Sequence, residues 1–193
     1  KTKQSRALNW FVSMDPGIRK FQTIFSPDGN EYVKIGINAS KKMYNELQKL
    51  DCMISKKFNK NAIRKQRLRI NNLQMELHNK TALFICERYQ NICIPKLTKN
   101  NDIICKKNRK INTKTVRNMI VLGHCKFVEK LKTKAEQFTN VNVKVVTEEY
   151  SSQECLNCRK RTKTTKEIFE CKYCKYKLDR DILGSTNILQ MNW

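Results

Sequence analysis

The chain is predicted to fold as an α/β protein, a mixed sheet flanked by helices with a four-cysteine ribbon set into it. Three observations carry that reading. The stretch up to Gly36 alternates short apolar runs with turn formers, as antiparallel strands do. Ile63, Ile70, Leu77 and Phe84 then recur every seven residues, the spacing of one helix face. Finally, two CxxC pairs, Cys155/Cys158 and Cys171/Cys174, stand twelve residues apart near the end of the chain.

Taken in order, Ala7 to Asp15 reads as a strand, apolar and aromatic, stopped by Pro16-Gly17. Phe21 to Phe25 is a second strand, Ser26-Pro27-Asp28-Gly29 a hairpin turn, and Glu31 to Gly36 a third strand. From Ser40 to about Tyr89 the period becomes helical, in two helices whose Arg64, Lys65, Arg67, Arg69 and Lys80 lie largely off the apolar stripe. Asn91 to Leu97 is a short apolar strand ended by Pro95, and the polar, basic stretch Lys99 to Lys114 is a loop. Thr115 to about Phe138 is helical again, and Val141, Val143 and Val145 alternate as a further strand. After the cysteine segment, Asp179 to Met191 closes as a helix with Ile182, Ile188 and Leu189 to bury. Three strands, helices, strand, helix, strand, ribbon, helix is the order of the ribonuclease H-like fold.

Lys and Arg number 40 against 17 acidic residues, a formal charge of +23 that calls for a polyanionic partner, nucleic acid above all. No apolar run approaches the roughly 20 residues of a spanning helix, so a membrane is not expected. The chain opens on Lys1 rather than Met, which predicts a longer parent protein. Four of the nine cysteines are paired, while Cys52, Cys86, Cys93, Cys105 and Cys125 are scattered, as in a reducing compartment with one metal site. Cys155, Cys158, Cys171 and Cys174 have the spacing of a zinc ribbon, in which two CxxC turns complete a closed tetrahedron around a structural Zn²⁺. Arg159, Lys160, Arg161, Lys163 and Lys166 would make that knuckle basic.

Acids are few, so their placement is informative. Asp15 ends the first strand, Glu148 follows the last, and Asp181 opens the closing helix; in a ribonuclease H-like sheet these places converge. Three carboxylates of this kind suit two Mg²⁺, which prefer oxygen ligands and can drive phosphodiester hydrolysis. Singly, each has a plainer reading: Asp15 as a turn residue, Asp179 or Asp181 as a helix N-cap, Glu148 or Glu149 as surface acids. His78 and His124 sit beside apolar residues and read as packed or surface histidines rather than metal ligands. Arg117 and Lys126, on the same expected helix as His124, are candidates for phosphate contact.

The segments DPGIRKFQTIFSPDG (Asp15 to Gly29), ICIPKL (Ile92 to Leu97), TVRNMIVLGHCKF (Thr115 to Phe127) and EEYSSQEC through LDRDILGSTNIL, ending at Leu189, carry a family resemblance. The chain resembles the RuvC nuclease portion of TnpB proteins, the RNA-guided nucleases of bacterial insertion sequences, and most of all their eukaryotic and giant-virus relatives called Fanzor. Compact type V CRISPR nucleases are more distant kin. The resemblance implies an RNA-guided, Mg²⁺-dependent DNA endonuclease with Asp15 and Asp181 as catalytic acids and Asp179 in support. Typical bacterial members carry the middle acid where this chain has Pro95; the Fanzor pattern puts it at Glu148, with Glu149 as second choice. It also implies guide RNA and target DNA as partners, and a missing N-terminal part that holds the guide. The segments become 1–149, the first part of the nuclease with a helical insertion at about 40–90, then the ribbon at 150–177 and the closing helix at 178–193. The expected compartment is intracellular and reducing: nucleus or viral/host compartment for a eukaryotic-type member, otherwise the cytoplasm with the nucleoid. Two other readings stay open at this point, a catalytically inactive zinc-ribbon protein that binds nucleic acid and a DNA transposase.

Overall fold

The computed structural model describes residues 9–96, 112–147 and 149–192. The first strand, β1 (Asn9–Pro16), runs into β2 (Gln22–Ser26) and, across the Pro27–Asn30 turn, into β3 (Glu31–Ile35). Helices α1 (Ala39–Ser55) and α2 (Lys60–Arg88) follow, and then β4 (Tyr89–Pro95). Asn59 starts α2 by accepting the Ala62 N–H at 2.8 Å, a cap of about 1 kcal/mol. Asn112 starts α3 (Thr113–Leu122) in the same way, accepting from Thr115 N at 2.8 Å. The remaining elements are α4 (His124–Ala135), β5 (Asn142–Val146), the ribbon strands β6 (Ile168–Glu170) and β7 (Lys177–Asp179), and α5 (Arg180–Asn192).

Among the described residues the main sheet has the order β3-β2-β1-β4-β5. The β1–β2 and β2–β3 pairs are antiparallel, while β1–β4 and β4–β5 are parallel. This is the ribonuclease H-like mixed sheet. Strand alternation sorts its residues into two faces. Val12, Met14, Ile24, Ile92 and Ile94 join Met43 and Leu50 of α1, Ile70 and Ile85 of α2 and Phe127 and Leu131 of α4 in the main core. On the opposite face Cys93 and Val146 meet Ile188 of α5, and the Ser13 hydroxyl donates to the Ser185 carbonyl at 2.6 Å. Asp15, two residues after Ser13, is therefore aimed at α5.

The helical stretch after Thr113 is broken once, where a single segment was expected. Gly123 sits at φ 61, and its N–H closes α3 on Met119 O at 3.2 Å. The left-handed backbone favours glycine there, and a Cβ would also lie 2.6 Å from the end of the Gln74 side chain, which would have to move aside. The seven-residue stripe packs as expected, with Ile70 buried and Ile63, Leu77 and Phe84 against the core.

His78 and His124 are packed, as expected. Their rings stack on Phe21 at centroid distances of 5.4 and 5.0 Å, and His78 bonds the Leu122 carbonyl at 2.7 Å. Burial drives His124 down from 6.5 to about 4, outweighing its hydrogen bond to the Gly17 backbone, and lowers His78 as well. A histidine depressed in the fold stabilises it above its unfolded value, and that stability is lost as the pH falls toward the folded value. We expect His124 alone to remove roughly 2 kcal/mol between pH 7 and pH 5, approaching 3 near pH 4. Urea midpoints of wild type and His124→Phe at the two pH values should differ by this amount; equal pH slopes would refute it.

Candidate functional site

Asp15 ends β1 at the turn that Gly17 closes by donating to Phe21 O at 3.3 Å. At the start of α5 the two acids of the Asp-Arg-Asp run divide their work. Asp179 Oδ1 accepts the backbone N–H groups of Asp181 and Ile182 at 3.0 and 3.3 Å, so Asp179 is the helix cap. Its other oxygen takes the Lys34 ammonium at 2.7 Å. Burial would raise Asp179, but Lys34, these amides and Lys20 outweigh it and hold the acid below its ordinary value. Asp181, in the first turn, is bonded by Lys20 Nζ at 2.7 Å, and the same ammonium is 3.5 Å from Asp179. Burial would lower Lys20, yet Asp181 and Asp179 raise it on balance, so the lysine stays charged.

Asp15 and Asp181 line one cleft of about 600 Å³. Its walls are the 15–20 turn, Thr115 and Met119 of α3, residues Tyr150 to Gln153 and the start of α5. Gly184 is what lets α5 lie over Asp15, since a Cβ there would stand 2.6 Å from Asp15 Oδ2. A second hollow of about 430 Å³, between β3, α1 and α2, is walled mainly by apolar side chains such as Val33, Met43, Leu77 and Phe84 and lacks these acids.

Glu148 lies outside the described residues. Glu149 is exposed in a turn and is not among the residues facing the cleft. Two residues beyond the paired Ser13 and Cys93 come Asp15 on β1 and Pro95 on β4, and Pro95 pairs in turn with Val146. Pro95 thus neighbours Asp15 at the same sheet edge, with no carboxylate to offer, and Glu148 follows Val146 by two residues in sequence.

The four cysteines come together. Cys155 and Cys174 sulfurs are 3.5 Å apart, as are those of Cys158 and Cys171, and all four lie within 4.8 Å of one another. A tetrahedral site with Zn–S of about 2.3 Å needs sulfurs roughly 3.8 Å apart, so the donor set fits zinc and leaves no open position. Among the described residues this is the one group of three or more His, Cys, Asp or Glu side chains close enough to share an ion. The Cys174 N–H holds the Cys171 thiol down to about 6, while burial pushes Cys155 up. Four thiols packed this closely cannot all ionise without a cation to offset their repulsion. Each CxxC turn closes by a residue in the left-handed region, Arg159 at φ 59 and Lys175 at φ 60. Buried Phe169 packs beneath the cysteines with Leu183 of α5, so ribbon and helix share one small core. Arg159, Lys160, Arg161, Lys163 and Lys166 are all exposed on the ribbon.

The residues that sequence reasoning passed over are Lys20, Lys34 and Tyr150. In a chain with 40 basic residues, no local signal marks two lysines that pair across the fold. Arg117 is committed to Asp51, in a two-pronged pair at 2.7 and 3.0 Å, whereas Lys126 is exposed. No helix among the described residues is long and apolar enough to cross a membrane.

A family model described as the Cas12f1-like TNB domain matches residues 124–188, which include the whole ribbon. The TnpB-like proteins L79 and L770 of Acanthamoeba polyphaga mimivirus are each 27% identical over 191 residues, covering 92% of this chain and 36% of theirs. The chain therefore spans about a third of the length of the curated relatives it matches. Among solved structures, a Cas12f1–sgRNA–target DNA complex superposes with a TM-score of 0.65 at 14% identity, over 92% of this chain and 48% of that one. A CRISPR-Cas12f ternary complex gives 0.61 at 15% identity, over 97% and 40%. At such identities these two speak for the fold alone. A ribonuclease H-like sheet and a four-cysteine ribbon accompany these likenesses, and the chain is similar in sequence to TnpB-like proteins and in fold to Cas12f.

Proposed function

We propose that this chain is the nuclease portion of an RNA-guided, metal-dependent DNA endonuclease, with residues 1–149 and 178–193 forming the nuclease and 150–177 the ribbon. The observation that carries the reading is that Asp15 and Asp181, from opposite ends of the sequence, share one cleft beneath a basic rim. Lys20 is a natural test of fit: a cation already stands 2.7 Å from Asp181, so the site accepts positive charge among its acids. Asp15, Glu148 and Asp181 would hold Mg²⁺. When bound, Mg²⁺ supplies charge stabilisation and water activation for phosphodiester hydrolysis. Asp179 orients the start of α5, and Lys20 neutralises the acids until that charge is supplied. Arg19 and Arg180 line the same cleft, where they can take phosphate oxygens. Cys155, Cys158, Cys171 and Cys174 would hold a structural Zn²⁺. Guide RNA and target DNA are the partners, with base pairing selecting the target.

The test is cleavage by the full-length protein with its RNA. Cutting of guide-matched DNA is expected in Mg²⁺ and not in Ca²⁺ or chelator. Binding without cutting under every guide would favour a non-cleaving nucleic-acid binder, the reading that Pro95 beside Asp15 supports. Gly184→Ala separates site from fold. Alanine gains helix propensity of up to about 1 kcal/mol, which offsets part of the strain, so thermal stability should change little. The new methyl would turn the Asp15 carboxylate aside, and cleavage should fall at least roughly tenfold, since such misplacement costs up to about 100-fold. An active Gly184→Ala protein would remove Asp15 from the chemistry.

A further inference from the structure

Tyr150 lines the cleft beside Asp15 and Asp181, yet 45% of it is exposed. It stands apart from the ribbon's apolar cluster, which takes Leu156, Tyr176 and Leu178 instead. Its backbone is at φ 61, a left-handed conformation that costs a non-glycine residue stability. That conformation is held because the Tyr150 carbonyl accepts the N–H groups of Gln153 and Glu154 at 2.9 and 3.1 Å. The Arg161 guanidinium lies 3.8 Å from the ring centroid. Arg161 is itself placed by an antiparallel bridge to Glu154 and by the adjacent Thr162 N–H, which donates to Gln153 O at 2.8 Å. Ring and guanidinium are thus positioned by the main chain, at the edge of a basic, acid-floored cleft.

A half-exposed aromatic ring backed by a planar cation is the arrangement on which unpaired bases stack, because every base offers a π-face and Arg adds its charge. We propose that Tyr150, backed by Arg161, is the stacking platform for one unpaired base of the DNA strand that enters the cleft. The platform fixes which phosphate reaches Asp15 and Asp181, and it does so without regard to base identity. The inference rests on the nuclease reading for its account of the phosphate, but base stacking itself requires no cleavage. A base held in a duplex cannot use the platform, so the strand must arrive single.

The experiment uses the full-length protein with its guide RNA in Ca²⁺, where no cutting is expected. Single-stranded target DNAs each carry one 2-aminopurine, whose fluorescence is quenched by stacking. One position should be quenched by wild type and by Tyr150→Phe but not by Tyr150→Leu, with affinity for the strand falling on the order of tenfold in Tyr150→Leu. An abasic nucleotide at that position should weaken wild-type binding by a similar factor, and this arm leaves the protein unaltered. The same abasic strand should cost Tyr150→Leu little more. Identical quenching profiles for wild type and Tyr150→Leu would overturn the proposal. So would quenching only when the probe sits in the guide RNA, or undiminished wild-type binding to every abasic strand. Because quenching is read without cleavage, a protein that stacks the base but never cuts would retain this inference and lose the nuclease reading.

Discussion

Asp15→Asn and Asp181→Asn are each expected to reduce Mg²⁺-dependent cleavage by the full-length protein with its guide about a thousandfold or more. Binding of the same DNA in Ca²⁺ should change little. Asparagine keeps the shape of the side chain and, at Asp181, an oxygen that can accept from Lys20, so the change isolates the lost charge. Asp179→Asn is the contrast. Asp179 caps α5 and pairs with Lys34 at 2.7 Å; asparagine can still cap, so losing the charge should act on stability, by up to about 1 kcal/mol, more than on the chemistry. For the third acid, Glu148→Gln should be inactive and Glu149→Gln active. The reverse result would reassign the role to Glu149.

Stripping the ribbon of zinc is expected to be the second large effect. Structural zinc contributes about 10–16 kcal/mol of binding free energy in small finger peptides, so a ribbon this size depends on it to fold. Cys158→Ser or a strong chelator should abolish binding of one zinc per chain and expose residues 150–179 to hydrogen exchange. The damage should travel further. Leu183 belongs to the ribbon's core, and the Asn187 amide donates to Ser151 and Glu154 carbonyls at 2.7 and 2.8 Å. Loosening the ribbon therefore loosens the helix that carries Asp181. Cleavage should fall on chelation and return with Zn²⁺ but not with extra Mg²⁺. Unchanged exchange in Cys158→Ser would show that metal does not hold the ribbon.

Much of this architecture is legible in the sequence because it rests on short-range patterns. Val12 and Met14 alternate with Ser13 and Asp15, and that period of two assigns a face to each. The heptad from Ile63 to Phe84 does the same for α2. The cysteine spacing encodes its own geometry. What stays hidden depends on distance along the chain. Lys20 and Asp181 meet through the fold, and neither residue's neighbours announce the other. Gly123 reads as a tolerable glycine within a helical stretch until Gln74 is seen pressing against it. Tyr150 looks like one more aromatic residue before a CxxC turn, because only the folded ribbon brings Arg161 over its ring.

The hydrogen bond from Ser13 to Ser185 joins residues 172 positions apart in the chain. Its consequence lies in time rather than space. On a ribosome, β1 can pair with β2 and β3 long before α5 exists, so a sheet presenting Asp15 forms early and waits. Asp181 reaches it only when α5 has been made and the ribbon has closed beneath it. A nascent chain that has not yet made α5 therefore presents Asp15 without Asp181, and the cleft they share forms only once both are in place.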